Sequence, residues 1–134
     1  MINFRNDYCG VCHPKVLEAL CEKSKNVYVG YGLDTETNEA TLKIKKLIKN
    51  DNANVYFTVG GTSTNKIVIA HALKSYGAAI ACDTGHINVH ETGAIEATGH
   101  KVLTLQSYDG KVKAEDVRNF INNFHSDDTY EHMV

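Results

Sequence analysis

The turn at residues 59–65 has the clearest chemical potential in this sequence, because two glycines there are followed by a run of hydroxyl side chains. Gly60 and Gly61 allow the backbone to approach a ligand closely. If a helix begins here, its first N–H groups and the positive end of its dipole point at the same place, and residues 62–64 add hydroxyl donors. The turn therefore suits an anion, best a phosphate, although a plain tight turn that caps a helix has the same pattern. Its spacing matches neither a P-loop nor Gly-x-Gly-x-x-Gly.

A second candidate is His86, which follows a predicted strand at 78–82. Ligands of open α/β sheets bind at the carboxyl ends of the strands, and the preceding predicted strand, 55–59, ends at the glycine turn. We therefore expect the two loops to face one crevice. A histidine there would stack on a planar cofactor or relay a proton, whereas a plain surface histidine is the alternative. His90 and His100 are expected to take no part.

Cys9, Cys12 and His13 form a Cys-x-x-Cys-His pattern, which is typical of covalent haem attachment. It also resembles a redox dithiol at a helix start, where the dipole would lower a thiol pKa. Haem attachment normally follows export, and no export signal is visible. A thioredoxin-like motif follows a full buried strand, for which residues 2–4 are too short. Spare thiols are the favoured interpretation, a working dithiol or metal site is the alternative, and no metal ligands are assigned.

Composition sets broad limits on the function. The chain has 134 residues, 43% hydrophobic and 22% charged, as expected for one globular domain. A net charge of −2 disfavours nucleic acid and anionic membranes as partners. No apolar run approaches the roughly 20 residues of a membrane span, and no secretory signal precedes the chain. A cytoplasmic location is therefore expected by default, with the cysteines as free thiols.

The hydrophobic pattern alternates between helical and strand periods. It predicts four helices from apolar residues at helical spacing: 14–25, one capped by Asp34 or Thr35, 63–76 with its stripe facing inward and ending at Gly77, and 114–124. It predicts three strands: 55–59, 78–82 and 101–106. Strands joined through helices indicate an α/β layered sheet. Three strands make a small sheet, so the chain is interpreted as an unfinished α/β domain.

Several motifs occur together in one order that resembles the bacterial low-specificity threonine aldolases and related β-eliminating lyases. The opening is similar to Phe-x-[Ser]-Asp followed by Gly-Val-x-His-Pro. Further matches are Tyr-Gly-x-Asp-x-x-x-Asn-Glu, Gly-Thr-x-x-Asn, Asp-x-x-His-Ile, Glu-x-Gly-Ala and a turn Asp-Gly-Lys. They lie at 4–14, 31–39, 61–65, 83–87, 91–94 and 109–111. The resemblance covers nearly all of the chain, which makes it far more specific than any single motif.

The resemblance implies the partial three-layer α/β/α large domain of pyridoxal 5'-phosphate (PLP) enzymes of fold type I. It implies that Gly61 and Thr62 hold the cofactor phosphate, and that His86 lies on the pyridine ring and helps proton transfer in the retro-aldol reaction. Asn6 stands where the family usually has a serine near the substrate carboxylate, a position from which asparagine can still donate a hydrogen bond. Tyr31 matches a tyrosine that completes the site, often across a dimer interface.

The implied reaction is the cleavage of small β-hydroxy-α-amino acids, such as L-threonine to glycine and acetaldehyde, by a homo-oligomer. Residues 1–134 would be the N-terminal segment and first half of the PLP-binding large domain. The family's Schiff-base lysine, pyridine aspartate and carboxylate-binding arginine all lie beyond residue 134, and none of the twelve lysines matches. This polypeptide alone is therefore expected to be inactive, and to associate with itself or with the remaining C-terminal part.

Two alternatives remain open on the sequence. One is another PLP enzyme of the same fold, similar to serine hydroxymethyltransferase or to the aromatic-amino-acid β-eliminating lyases. The other is a non-catalytic α/β module that binds phosphate.

Overall fold

The computed structural model describes residues 10–124 of the chain. The chain divides into two compact units, Met1–Val55 and Tyr56–Val134. Within the described residues, the first unit holds two helices, and the second holds three helices and a parallel sheet. None of the described helices has the length and hydrophobicity that a membrane span requires.

Helix α1, Pro14–Lys23, begins where the sequence places a proline. Pro14 occupies the first turn, where its missing N–H costs no helical hydrogen bond. His13 caps this end, because its Nδ1 accepts the Lys15 N–H at 3.3 Å. The predicted helix 14–25 is confirmed to within two residues at its end.

Helix α2, Thr35–Ile48, has Asp34 as its N-cap. The Asp34 carboxylate accepts the Thr37 N–H at 2.8 Å and the Thr37 hydroxyl at 2.7 Å. Both bonds hold the pKa of Asp34 below its usual value, and the bond from the Thr37 hydroxyl has the larger effect. Lys23 and Glu36 pair at 2.5 Å and join α1 to the first turn of α2. The predicted cap is confirmed.

The second unit is an α/β arrangement around two strands, as its elements in chain order show. They are α3 Gly61–Ala72, β1 Ala78–Cys82, α4 His86–Val89, a 3₁₀ turn Glu96–Thr98, β2 Lys101–Leu105 and α5 Ala114–Phe124. The strands run parallel and in register, from Ala78 opposite Lys101 to Cys82 opposite Leu105. Their carboxyl ends therefore share one edge of the sheet. The predictions of β1, β2 and α5 are confirmed.

The core of this unit is small and lies beside the strands. The buried apolar side chains among the described residues are Ala78, Ile95, Leu105 and Phe124. His100 is also buried, and its ring Nδ1 lies 3.0 Å from the carbonyl oxygen of Gly77. This bond joins the residues that immediately precede the two strands, so it supports their register.

The predicted strand at 55–59 is wrong, because these residues form no strand. Tyr56 is 83% exposed and Val59 is 97% exposed. β-Branched and aromatic residues suit a half-buried pleated surface, but a strand also needs a hydrogen-bonded neighbour. Within the part of the chain that the structure describes, the sheet consists of β1 and β2, and neither pairs with this segment.

The third helix also ends earlier than predicted. Leu73 is extended (φ −95°, ψ 148°), so α3 stops at Ala72 and Gly77 is not its C-cap. The Gly77 N–H instead donates to the Lys74 carbonyl at 2.8 Å in a separate turn before β1. A side chain at Gly77 would place its Cβ 3.1 Å from that carbonyl oxygen, so close packing favours glycine here.

Many apolar residues at helical spacing are exposed, including those of the third helix that are predicted to face inward. Leu20 on α1 is 60% exposed, and Leu47 on α2 is 82% exposed. On α3, Ile67 is 59% exposed and Val68 is 56% exposed. Helical spacing identified these apolar residues, but on α1, α2 and α3 the described residues leave many of them uncovered, whereas Phe124 on α5 is buried.

Candidate functional site

The glycine turn leads directly into α3, as the anion-site hypothesis requires. Gly60 is the N-cap and no side chain caps the helix start. The hydroxyl of Thr64 is committed within the turn, because it donates to the Gly60 carbonyl at 3.1 Å and lies 2.6 Å from the Thr58 hydroxyl. The prediction that all three hydroxyls serve a ligand therefore needs correction, since Thr64 fastens the turn instead.

The space around the two glycines is open. An added Cβ at Gly60 or Gly61 would meet no atom of the chain within 4 Å. Gly60 is extended (φ 169°), a conformation that any residue adopts, so neither strain nor crowding requires glycine there. Thr62, which follows, is exposed. An anion that approaches the backbone would use this space, and a phosphate fits the donors that the turn presents.

His86 is placed at the edge of the sheet by a tight turn after β1. The Gly85 N–H donates to the Cys82 carbonyl at 2.8 Å, and a Cβ at Gly85 would lie 2.9 Å from that oxygen. Only glycine permits this approach. The turn brings His86 to the carboxyl end of β1 as the first residue of α4, and its side chain is 65% exposed.

Glu91 connects the histidine with the helix of the glycine turn. Its side chain is fully buried, and Oε1 lies 2.8 Å from Nδ1 of His86. The same oxygen accepts Nδ2–H of Asn65 at 2.6 Å. Asn65 lies about one helical turn beyond Gly61. These contacts join α3 to the segment after α4, and the crevice predicted between the two loops stays a prediction.

Glu91 and Asn65 carry this connection, yet the sequence pattern predicts no role for them beyond membership of two motifs. The available signals were weak: an acidic residue five positions after the histidine, and an amide inside a helix. Two polar side chains 26 residues apart become partners only when the chain folds.

Asp83 also lies at the carboxyl edge of the sheet, but it serves the fold. Its carboxylate accepts the Ser107 hydroxyl at 2.7 Å, the Ser107 N–H at 3.2 Å and the Gln106 amide at 2.6 Å. The Ser107 hydroxyl, followed by backbone N–H groups, holds the pKa of Asp83 below its usual value. Hydrogen bonds thus link Asp83, directly after β1, to Gln106 and Ser107, directly after β2.

The two remaining predicted site residues are Tyr31 and Asn6. Tyr31 belongs to the first unit, where it has a left-handed backbone (φ 63°) and a fully exposed side chain. An exposed aromatic ring in an uncommon conformation is compatible with a role toward a partner, but no contact assigns one. Asn6 lies outside the described residues. The substrate-binding roles of Tyr31 and Asn6 stay predictions.

The Cys-x-x-Cys-His pattern is only partly within the described residues, because Cys9 lies outside them. Cys12 is an exposed free thiol. His13 already has a structural role as the cap of α1. Residues 10–124 contain no cluster of three or more histidine, cysteine or acidic side chains that would hold a metal.

Comparison with known proteins identifies relatives of this chain. The family model described as beta-eliminating lyase matches residues 4–131. The low specificity L-threonine aldolase of Pseudomonas aeruginosa is 30% identical over 115 residues, which cover 84% of this chain and 33% of that protein. The low specificity L-threonine aldolase of a Pseudomonas species matches with the same identity and coverage.

A solved structure of Leishmania major threonine aldolase is also similar, with a TM-score of 0.87 and 39% sequence identity. The match covers 96% of this chain and 37% of that one, so the chain spans about a third of the length of these relatives. The likeness confirms the predicted fold, a partial α/β domain of the PLP enzymes of fold type I. Since the family model covers nearly the whole sequence, the chain belongs to the beta-eliminating lyase family.

Proposed function

We propose that this chain is part of a PLP-dependent lyase that cleaves β-hydroxy-α-amino acids, with L-threonine giving glycine and acetaldehyde. The names of its relatives, low specificity L-threonine aldolases, support the substrate class. The observation that carries the proposal is the link between the open start of α3 and His86, which runs through Asn65 and Glu91. It joins an anion site to an exposed imidazole.

The residues present fit the phosphate and the ring of PLP. Backbone N–H groups at Gly61 and Thr62 would bind the phosphate, assisted by the helix dipole. The exposed imidazole of His86 would lie against the pyridine ring and take part in proton transfer. When bound, PLP supplies the electron sink that the reaction needs.

Further parts of the proposal concern residues and partners beyond this cluster. Asn6 would bind the substrate carboxylate, and Tyr31 would complete the site. Residues 1–134 would form the N-terminal segment and first half of the large domain of a cytoplasmic homo-oligomer. Since no lysine here matches the Schiff-base position of the family, the 134-residue polypeptide alone would bind the cofactor without cleaving threonine.

The sharpest test uses pyridoxamine 5'-phosphate, because its amine cannot form a Schiff base with any of the twelve lysines. Its fluorescence would be titrated with the purified chain, and pyridoxamine without phosphate would be titrated in parallel. We expect a saturable change with the phosphorylated probe and a much weaker one without phosphate. Replacement of His86 by alanine would reduce the spectral change, whereas replacement of the exposed His71 would not.

Two results would count against the proposal. Indifference of the chain to millimolar pyridoxamine 5'-phosphate would contradict the cofactor site. Equal binding of both probes would contradict the phosphate role of Gly61 and Thr62. Formation of glycine and acetaldehyde from threonine by this chain with PLP would support the reaction but refute the expected inactivity of the polypeptide alone.

A further inference from the structure

Glu91 is held in an unusual way for a residue that serves packing alone. Its side chain is fully buried, and the two short contacts of its carboxylate both use Oε1. The other oxygen, Oε2, is buried without a hydrogen-bond partner among the described residues. A buried carboxylate is costly unless it is hydrogen-bonded, so the contacts with His86 and Asn65 carry its stabilisation.

This arrangement determines which nitrogen of His86 carries a proton. A carboxylate only accepts hydrogen bonds, so at a separation of 2.8 Å the Nδ1 atom of His86 must be the donor. In a neutral imidazole the proton on Nδ1 leaves Nε2 as an acceptor. The His86 side chain is 65% exposed, while its partner Glu91 is buried. Nε2 is therefore the ring nitrogen left for a ligand.

Asn65 is the second residue that holds the Glu91 carboxylate in place. Its amide donates to the same Oε1 at 2.6 Å, and it stands on α3 about one turn beyond Gly61. Movement of Glu91 would break this bond as well as the contact with His86. The carboxylate thus couples the orientation of the imidazole to the helix that begins at the glycine turn.

We propose that Glu91 is a positioning residue that holds His86 in the Nδ1–H tautomer, with Nε2 presented to the ligand as a proton acceptor. The identity of that ligand rests on the proposed function, but the tautomer is a property of the chain itself. The same carboxylate, through Asn65, sets the imidazole relative to the phosphate-binding turn. A histidine with the opposite tautomer would present a donor to the ligand and would not accept a proton from it.

The test is ¹⁵N NMR of the histidine rings in the purified chain at about pH 9, where an unperturbed histidine is neutral. The His86→Gln variant identifies the signals of His86 by their loss. We expect the Nδ1–H tautomer to exceed the other by about tenfold, because a hydrogen bond to an ionised group is worth at least that factor. A predominant Nε2–H tautomer in the unaltered chain would overturn the proposal.

Three variants separate positioning from general stability. Glu91→Leu removes the acceptor, and we expect the tautomer preference of His86 to be lost in the folded variant. Glu91→Gln keeps an amide oxygen that can accept from both neighbours, so it should restore much of the preference. Glu96→Gln removes an exposed charge five residues after Glu91 and should leave the tautomer preference of His86 unchanged. An unchanged tautomer in folded Glu91→Leu would refute the role of Glu91, and the unaltered chain remains decisive if that variant unfolds.

Addition of pyridoxamine 5'-phosphate separates this inference from the proposed function. If the Nδ1–H tautomer is present but the His86 signals do not respond to the probe, the cofactor site is contradicted and the positioning role stands. If the signals respond but the free chain has the Nε2–H tautomer, the cofactor site stands and the positioning role is refuted.

Discussion

The Asn65 amide donates a 2.6 Å hydrogen bond to Oε1 of Glu91, and this bond ties α3 to the segment that follows α4. Glu91 is buried and half-buried Asn65 reaches it from 26 residues earlier in the chain. The bond is therefore both a tertiary contact of the second unit and a support for the candidate site.

We expect Asn65→Ala to lower the free energy of unfolding by about 1 to 3 kcal/mol, because it leaves a buried carboxylate with one donor fewer. Urea denaturation followed by circular dichroism would measure the loss. The control is Asn119→Ala on the exposed surface of α5, which should change stability by less than about 0.5 kcal/mol. Equal effects of the two substitutions would show that the bond contributes nothing.

Gly61→Ala should separate ligand binding from folding. Its Cβ would meet no atom of the chain within 4 Å, so stability should stay within about 0.5 kcal/mol or rise slightly. The same methyl group would occupy the space that the phosphate needs, and affinity for pyridoxamine 5'-phosphate should fall about tenfold through the loss of a charge-assisted hydrogen bond. Gly30→Ala, also in open space, should leave the affinity unchanged. Unaltered affinity in Gly61→Ala would place the phosphate elsewhere.

The lowered pKa of Asp83 predicts a specific sensitivity to acid. Because its folded pKa lies below the ordinary value of 3.8, the folded chain binds fewer protons than the unfolded chain in that range. The stabilisation is present above the ordinary value and is lost as the pH falls through the folded pKa.

Urea midpoints measured from about pH 5 to about pH 2 should therefore fall less steeply in Asp83→Asn than in the unaltered chain. Asp51→Asn is the control, because Asp51 is an exposed residue in the turn after α2, and the slope of this variant should equal that of the unaltered chain. A slope for Asp83→Asn that matches the unaltered chain would mean that the bonds from Ser107 do not form in solution.

His100→Ala should destabilise the sheet, since it leaves the buried carbonyl of Gly77 without its partner at 3.0 Å. The expected loss is about 1 to 3 kcal/mol in the free energy of unfolding. Pyridoxamine 5'-phosphate should still bind the folded variant, because His100 bonds to the Gly77 carbonyl beside the strands and is not among the residues proposed to hold the cofactor. His71→Ala, at an exposed position, serves as the control. Similar stabilities of His71→Ala and His100→Ala would contradict the structural role of His100.

Local signals in the sequence predicted most of the elements. Pro14 and Asp34 define the starts of the first two helices by chemistry that acts within a few residues. The apolar residues and flanking turns predict short strands at 78–82 and 101–106, and the second of these ends one residue earlier, at Leu105. Residues 55–59 carried the same signals and form no strand, because pairing depends on a neighbour that local sequence does not specify.

The family, the α/β character and the glycine turn can all be predicted without coordinates, since motif order and local periodicity are properties of short segments of chain. The sequence also names His86 as the histidine at the end of a strand. What holds that histidine is visible only in the folded chain: it is the buried carboxylate of Glu91, which is shared with Asn65. Hydrogen bonds between distant side chains, and the burial that strengthens them, exist only once the backbone has brought those side chains together.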